Sequence, residues 1–252
     1  MKPKLVVLVV ALLLLAMVPA LVMAQGRAKP AQTGTVVLDF SQAIGPQLDA
    51  QMGVSSKTGN PRSLGMIQLA PRTSSNIQPN AVYALLNDGF EAPWAATNWA
   101  FGELGLSPVG WDATSYMSRF GDQSLYSAGY NNDPFSNPYY DNDMFSLAFY
   151  SMDLQGAKRA QVRFQYKSDT EYYFDTFYWC ASADGVTFYC EYFTGSTNDK
   201  WRLVKRDSKT DPILKSMLGS PFAYYGFIFE SDFSITDRGT FVDPLRVRVW
   251  GP

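Results

Sequence analysis

Hydrophobic and polar positions divide the chain into three stretches of different character. In the first, Lys2 and Lys4 precede an unbroken apolar run from Leu5 to Ala16. Pro19 then breaks the run, and Val22-Met23-Ala24 sets small or apolar residues before Gln25. That order is the layout of a secretory signal peptide and predicts that residues 1–24 direct export. A membrane anchor is the alternative, because Leu5 to Ala24 is about long enough to cross a bilayer. Either way the two lysines stay inside and the remaining chain lies outside, so the membrane is a partner only if the segment stays uncleaved. No cysteine follows the run, which leaves a lipid anchor without an attachment point.

The second stretch, residues 25–82, is rich in Gln, Ser, Pro, Gly, Thr and Asn, and Phe40 is its sole aromatic. Segments such as Ser55 to Pro61 have no apolar period, and such composition buries too little surface to offset chain entropy. It predicts a low-complexity linker or stalk, largely disordered, with a propeptide as the other reading. One patch, Val36-Val37-Leu38-Asp39-Phe40, has the character of a short strand or a transient helix.

From residue 83 to residue 252 the pattern changes to period two. Val162, Phe164 and Tyr166 alternate with Arg163, Gln165 and Lys167, and Leu245, Val247 and Val249 alternate with Arg246, Arg248 and Trp250. Asp175 to Cys180, Val186 to Phe193, Trp201 to Val204 and Tyr225 to Phe229 give further runs. Alternation of this kind marks strands with one buried face. Turn clusters separate them at Asn131 to Pro134, Asp184-Gly185, Thr194 to Asp199, Asp211-Pro212 and Asp237 to Gly239. Short strands so spaced predict an all-β antiparallel β-sandwich. Only Pro212 to Leu218 reads as helical. Cys180 and Cys190 flank the turn at Ala183 to Val186; with a three-residue loop they fall opposite each other, and in an exported chain such a pair oxidises to a structural disulfide.

Composition then narrows the chemistry. The formal charge of −2 and the pI near 5.2 give no basic footprint for nucleic acid. The chain has no histidine, which removes His-dependent triads, the common zinc sites and imidazole bases. Aromatic residues make up 15%, and tyrosine is suited both to packing and to binding surfaces.

Several dispersed motifs occur in order. Asn87-Asp88-Gly89-Phe90-Glu91 is followed by Trp94 and Trp99. Gly121 to Ser127, Asp141 to Met144, Met152 to Leu154, Tyr172 to Asp175, Ser182 to Gly185 and Thr240 to Asp243 come after them. The series resembles the MAM-like and immune-inhibitor-A-like jelly-roll modules of secreted proteins, in their non-peptidase part. The resemblance implies a jelly roll and, as a cofactor, a structural calcium ion. Its ligands would be Glu91 on the opening strand and Asp243 on the last, with backbone carbonyls completing an oxygen shell. Pro244 stands where such modules commonly have a second Asp.

Two further groups of residues have chemical promise. Asp141 and Asp143 have the spacing of calcium-loop oxygens without the rest of that motif. With Tyr139 and Tyr140 beside them they form a candidate ligand-binding platform, an aromatic face next to carboxylates that suits a sugar ring. The opposite reading packs both tyrosines under the loop. Among carboxylates, Glu171 and Asp175 are the nearest pair for glycosidase chemistry, with Glu191 and Glu230 as further options, but the residues show no recognised catalytic signature. The leading expectation is a secreted or cell-surface, non-catalytic binding or adhesion module for an extracellular glycan or protein. A carboxylate-dependent hydrolase and a purely structural surface protein are the alternatives.

Overall fold

The computed structural model describes residues 32–39, 53–55, 61–63, 82–94, 96 and 99–251. The predicted signal peptide lies outside them, as does most of the predicted linker.

Among the described residues, fourteen strands and one short helix follow in chain order. The strands are β1 (Gln32–Asp39), β2 (Gly53–Ser55), β3 (Pro61–Ser63), β4 (Val82–Asp88), β5 (Trp99–Glu103), β6 (Gly110–Thr114), β7 (Ser124–Tyr130), β8 (Phe145–Met152), β9 (Arg159–Asp169), β10 (Thr176–Ser182), β11 (Thr187–Thr194), β12 (Arg202–Asp207), β13 (Ala223–Glu230) and β14 (Gly239–Trp250). The helix, α1 (Pro212–Met217), precedes β13. One sheet has the order β1-β11-β10-β13-β8-β5, and the other β12-β9-β14-β7-β6 with β4 also on β14. All these pairings are antiparallel, and among the described residues β2 and β3 pair with each other alone. The expected all-β sandwich is the observed fold.

Period-two alternation explains the packing. In β9 the residues Ala160, Val162, Phe164 and Tyr166 are buried and face Phe177 and Trp179 of β10 and Phe227 of β13. Trp111 of β6 completes the layer against Phe177 and Phe227, and its indole N–H donates to the Ser146 carbonyl at 3.1 Å. Burying such side chains contributes about 1.5–3 kcal/mol each. Pro212 opens α1, and the Asp211 carboxylate accepts the N–H groups of Ile213 and Leu214, which caps the helix.

Strand β1 corrects part of the predicted linker. The patch around Val36 is a strand of the first sheet, paired with β11 over its whole length from Gln32 opposite Thr194 to Asp39 opposite Thr187. It joins a second apolar cluster, on the outer face of that sheet, made of Phe149, Cys180, Phe188, Cys190, Tyr224 and Ile228 with Val36 and Leu38 against it. The expected disulfide sits in this cluster, where Cys180 and Cys190 are directly opposed with Cα atoms 4.1 Å apart.

Strand β14 has different neighbours along its length. It pairs with β9 throughout, while its other edge meets β7 at Phe241 and Val242 and β4 from Leu245 onward. Asp243 lies where the partner changes, and the register shifts there.

Candidate functional site

The loops at one end of the sandwich are tied into a single structure. They are the connections 104–109, 131–144, 170–175, 195–201 and 231–238, each running from one sheet to the other. At their centre is Asp175, fully buried, whose carboxylate accepts the hydroxyl of Tyr140 and, at 2.8 Å, the N–H of Asp232. Burial pushes its pKa up to about 6, against the lowering effect of those two hydrogen bonds, and the charges of Asp232 and Glu171 add to the rise. The N–H of Glu171 donates to the Tyr140 hydroxyl at 3.2 Å, and the Ser234 hydroxyl donates to Glu171 Oε2 at 3.1 Å. Ser107 donates to Asp141 Oδ2 at 3.0 Å, and the Asp143 N–H donates to the Asp232 carbonyl at 2.7 Å. Arg238 bridges Asp169 at 2.8 Å and Asp199 at 2.9 Å.

Above this network stands a crown of exposed apolar side chains. Leu106 is 88% exposed, Phe233 78% and Tyr173 60%, and Phe174, Ile235 and Tyr139 are exposed with them. Tyr173 holds a left-handed backbone (φ 75°), rare outside glycine, and its N–H donates to Thr194 Oγ1 at 2.9 Å. The basic residues of these loops are Lys200 and Arg238, against Asp133, Asp141, Asp143, Glu171, Asp232 and Asp237 among others. The end is therefore acidic and aromatic, able to offer oxygen acceptors beside apolar faces.

The expected residues fall unequally into this picture. Tyr139, Asp141 and Asp143 all belong to the loop end. Tyr140 is a correction: it is 1% exposed, packs edge-on against Phe229 at 4.9 Å and supports the loops from within, so it offers no stacking face. Of the carboxylates proposed for hydrolysis, Asp175 is closed off from solvent. Glu191 is committed to Trp179 and Arg206, and Glu230 accepts the Tyr178 hydroxyl at 2.7 Å. The crown residues Tyr173, Phe174, Phe233 and Ile235 escaped sequence reasoning. Their signal was large apolar side chains inside otherwise polar turn segments.

Glu91 and Asp243 meet on the connection between β6 and β7. Asp243 Oδ2 accepts the N–H groups of Arg119 and Phe120, each at 2.7 Å, and both Glu91 carboxylate oxygens accept the N–H of Asp122 at 3.2 and 3.0 Å. Asp243 Oδ1 is buried without a hydrogen-bond partner. Burial raises the Asp243 pKa, those two N–H donors oppose the rise, and the charge of Glu91 adds to it.

No protein-family model matches the chain, and no curated protein matches it. Among solved structures, the CBM22-1 xylan-binding domain from Paenibacillus barcinonensis Xyn10C is 14% identical; the match covers 69% of this chain and 99% of that one at a TM-score of 0.44. The K1 cleaved adhesin domain of Lys-gingipain from Porphyromonas gingivalis W83 is 16% identical, over 69% of this chain and 99% of that one, at a TM-score of 0.44. TmCBM61, solved in complex with β-1,4-galactotriose, is 10% identical over 59% and 86% at 0.40. At such identities and scores the functional reading rests on the chain's own residues.

Proposed function

We propose that the protein is an exported, non-catalytic glycan-binding module whose ligand lies across the loop end. The exposed crown of Tyr173, Phe174, Phe233, Ile235, Leu106 and Tyr139 above an acidic rim carries this reading. Exposed apolar side chains gathered at one place mark an interaction surface. Aromatic rings cover the C–H faces of a sugar, and carboxylate and amide oxygens accept its hydroxyls. The rim's negative charge disfavours an anionic lipid surface. Export rests on the signal-peptide layout of residues 1–24 and agrees with the Cys180–Cys190 bridge.

Calcium fits this reading as a brace away from the ligand. Asp243 Oδ1 is a buried oxygen without a donor, and Glu91 brings a second carboxylate to the same connection. Glu91 and Asp243 would hold the ion, which would supply only charge compensation and rigidity.

The test is a glycan-array and matrix-protein screen of the full chain, repeated with Tyr173→Ala and Phe233→Ala. A glycan hit that each substitution weakens by about tenfold is expected. An array without any glycan hit sinks the reading, and a hit indifferent to both substitutions moves the site elsewhere.

A further inference from the structure

The net charge of the chain is −2, yet the outer face of the second sheet is basic. Period-two alternation sets this up. Val204 in β12, Val162 and Phe164 in β9, and Leu245 and Val247 in β14 are buried between the sheets. Lys205, Arg163 and Arg246, which lie between or beside them, therefore point outward, and all three are exposed. Register then aligns them: Lys205 is directly opposite Arg163, and Arg163 is directly opposite Arg246. Neighbouring strands lie about 4.8 Å apart, so the cations form one row across three strands. Arg248, two residues further along β14, is exposed on the same face. Arg119 reaches the face from the connection between β6 and β7, where its Nε donates to Gln165 Oε1 at 3.4 Å.

Like charges directly opposite one another destabilise a sheet, and here nothing within the protein offsets them. Asp207, two residues from Lys205, is held by Arg159 and accepts from Gln161 at 3.2 Å and from the Lys209 N–H at 3.1 Å. Asp243, three residues before Arg246, is fully buried and accepts two backbone N–H groups. Among the described residues, Lys205, Arg163, Arg246 and Arg248 have no carboxylate within ion-pair distance. The row also ends in a recess. The pairing of β4 with β14 slips between Val247 and Arg248, and a groove of about 320 Å³ opens there, lined by Ala84, Leu86, Asn87, Arg246 and Arg248. Asn87 is exposed and directly opposite Arg246, so its amide continues the row onto a fourth strand.

We infer that this face is a second binding site, for an anionic polysaccharide laid across the strands. Its carboxylate or sulfate groups pair with Lys205, Arg163 and Arg246 in turn, each guanidinium fork able to take two oxygens. One sugar ring enters the groove, where Asn87 and Arg248 meet its hydroxyls and Ala84 and Leu86 its apolar face. Four strands give a run of about 14 Å, the length of a short oligosaccharide rather than of a free phosphate. A bilayer would meet the cations and leave the recess empty. Single-stranded nucleic acid needs free rings on which its bases stack. Trp250 and Phe120, at the borders of the face, instead lie under guanidinium groups, Trp250 under Arg159 at 4.2 Å and Phe120 under Arg119 at 5.1 Å. The inference goes beyond the loop-end reading and uses none of its residues.

Titration calorimetry of the full chain with a galacturonate hexamer and its methyl ester tests it, beside phosphatidylglycerol vesicles and an oligothymidylate. The acid binds, the ester binds about tenfold more weakly, and added salt weakens the acid, since exposed charge pairs are screened. Arg163→Gln and Arg246→Gln each lower the acid's affinity about threefold and together about tenfold. The melting temperature of the paired variant holds or rises, because opposed like charges have been removed. Two cations removed elsewhere, by Lys209→Gln with Lys215→Gln, leave the affinity unchanged. Tyr173→Ala with Phe233→Ala also leaves it unchanged, which separates this face from the crown. Absent binding of the acid, equal binding of acid and ester, or indifference to the arginine substitutions overturns the inference. So does an equal loss in the lysine or crown variants, or binding of the vesicles or oligothymidylate as tight as that of the acid.

Discussion

At the scale of single residues, Asp175 has the clearest consequence for solution behaviour. Its folded pKa, about 6, lies above the ordinary carboxylate value, so the folded state keeps a proton that the unfolded chain has already released. Its contribution is therefore destabilising above about pH 6 and is relieved as pH falls from about 6 toward 4. Asp175→Asn keeps the shape and an acceptor for the Asp232 N–H while removing the charge. Thermal melts of both proteins between pH 4 and 8 should converge at low pH and separate above 6, with the wild type losing ground. Parallel curves would contradict this. The residue scale is also where sequence reasoning reached least. Tyr139 and Tyr140 are neighbours of the same type, yet one is 49% exposed and the other is the partner of Asp175. Only the meeting of loops about 30 and 90 residues further along the chain decides which ring turns inward.

At the scale of elements, legibility followed how many faces a strand buries. Strand β9 and the second half of β14 were plain because a buried apolar residue alternates with one that is not fully buried, mostly Arg, Gln or Lys. Strand β8 is apolar on both faces: Ala148 and Tyr150 point to the core, while Leu147 and Phe149 join the outer cluster around the disulfide, which erases the period. Strand β1 was legible as strand-like but not as part of the sandwich, because its partner lies some 150 residues later. Its fit there is specific: a Cβ on Gly34 would run into the ring of Tyr192. The Cys180–Cys190 bridge was readable from spacing because a short hairpin fixes its own register. A link with a sequence separation of 10 restrains little unfolded-state freedom. Replacing both cysteines by alanine should therefore cost about 2–3 kcal/mol by urea denaturation. A much larger loss would mean that the cluster around Ile228 and Phe188 depends on the bridge for its packing.

At the scale of the whole molecule, the second sheet shifts register where β14 exchanges β7 for β4. The Asp243 carboxylate anchors the loop that fills the gap, leaving one buried oxygen without a donor. If calcium closes that site, millimolar calcium should raise the melting temperature of the full chain, and a chelator should reverse the rise. A ligand at about a hundred times its Kd adds roughly 2.7 kcal/mol. Asp243→Asn should abolish the response while leaving glycan binding at the crown measurable. A melting temperature indifferent to calcium would exclude the brace. The motif order in the sequence pointed to Glu91 and Asp243, and the fold brings them to one connection. It could not indicate that a strand exchanges partners beside them.

The same strand governs when the protein can fold. β14 is the last strand described, yet it is the one on which β9, β7 and β4 all assemble. A chain delivered from its N-terminus, whether from the ribosome or through a membrane pore, reaches residue 239 with its second sheet still lacking a centre. Until β14 emerges, the long-range pairings that reward loop closure are unavailable. The earlier strands must wait with their edges open, as targets for holding factors or for one another. The late arrival of β14 places the burden of preventing aggregation on the interval before residue 239 emerges.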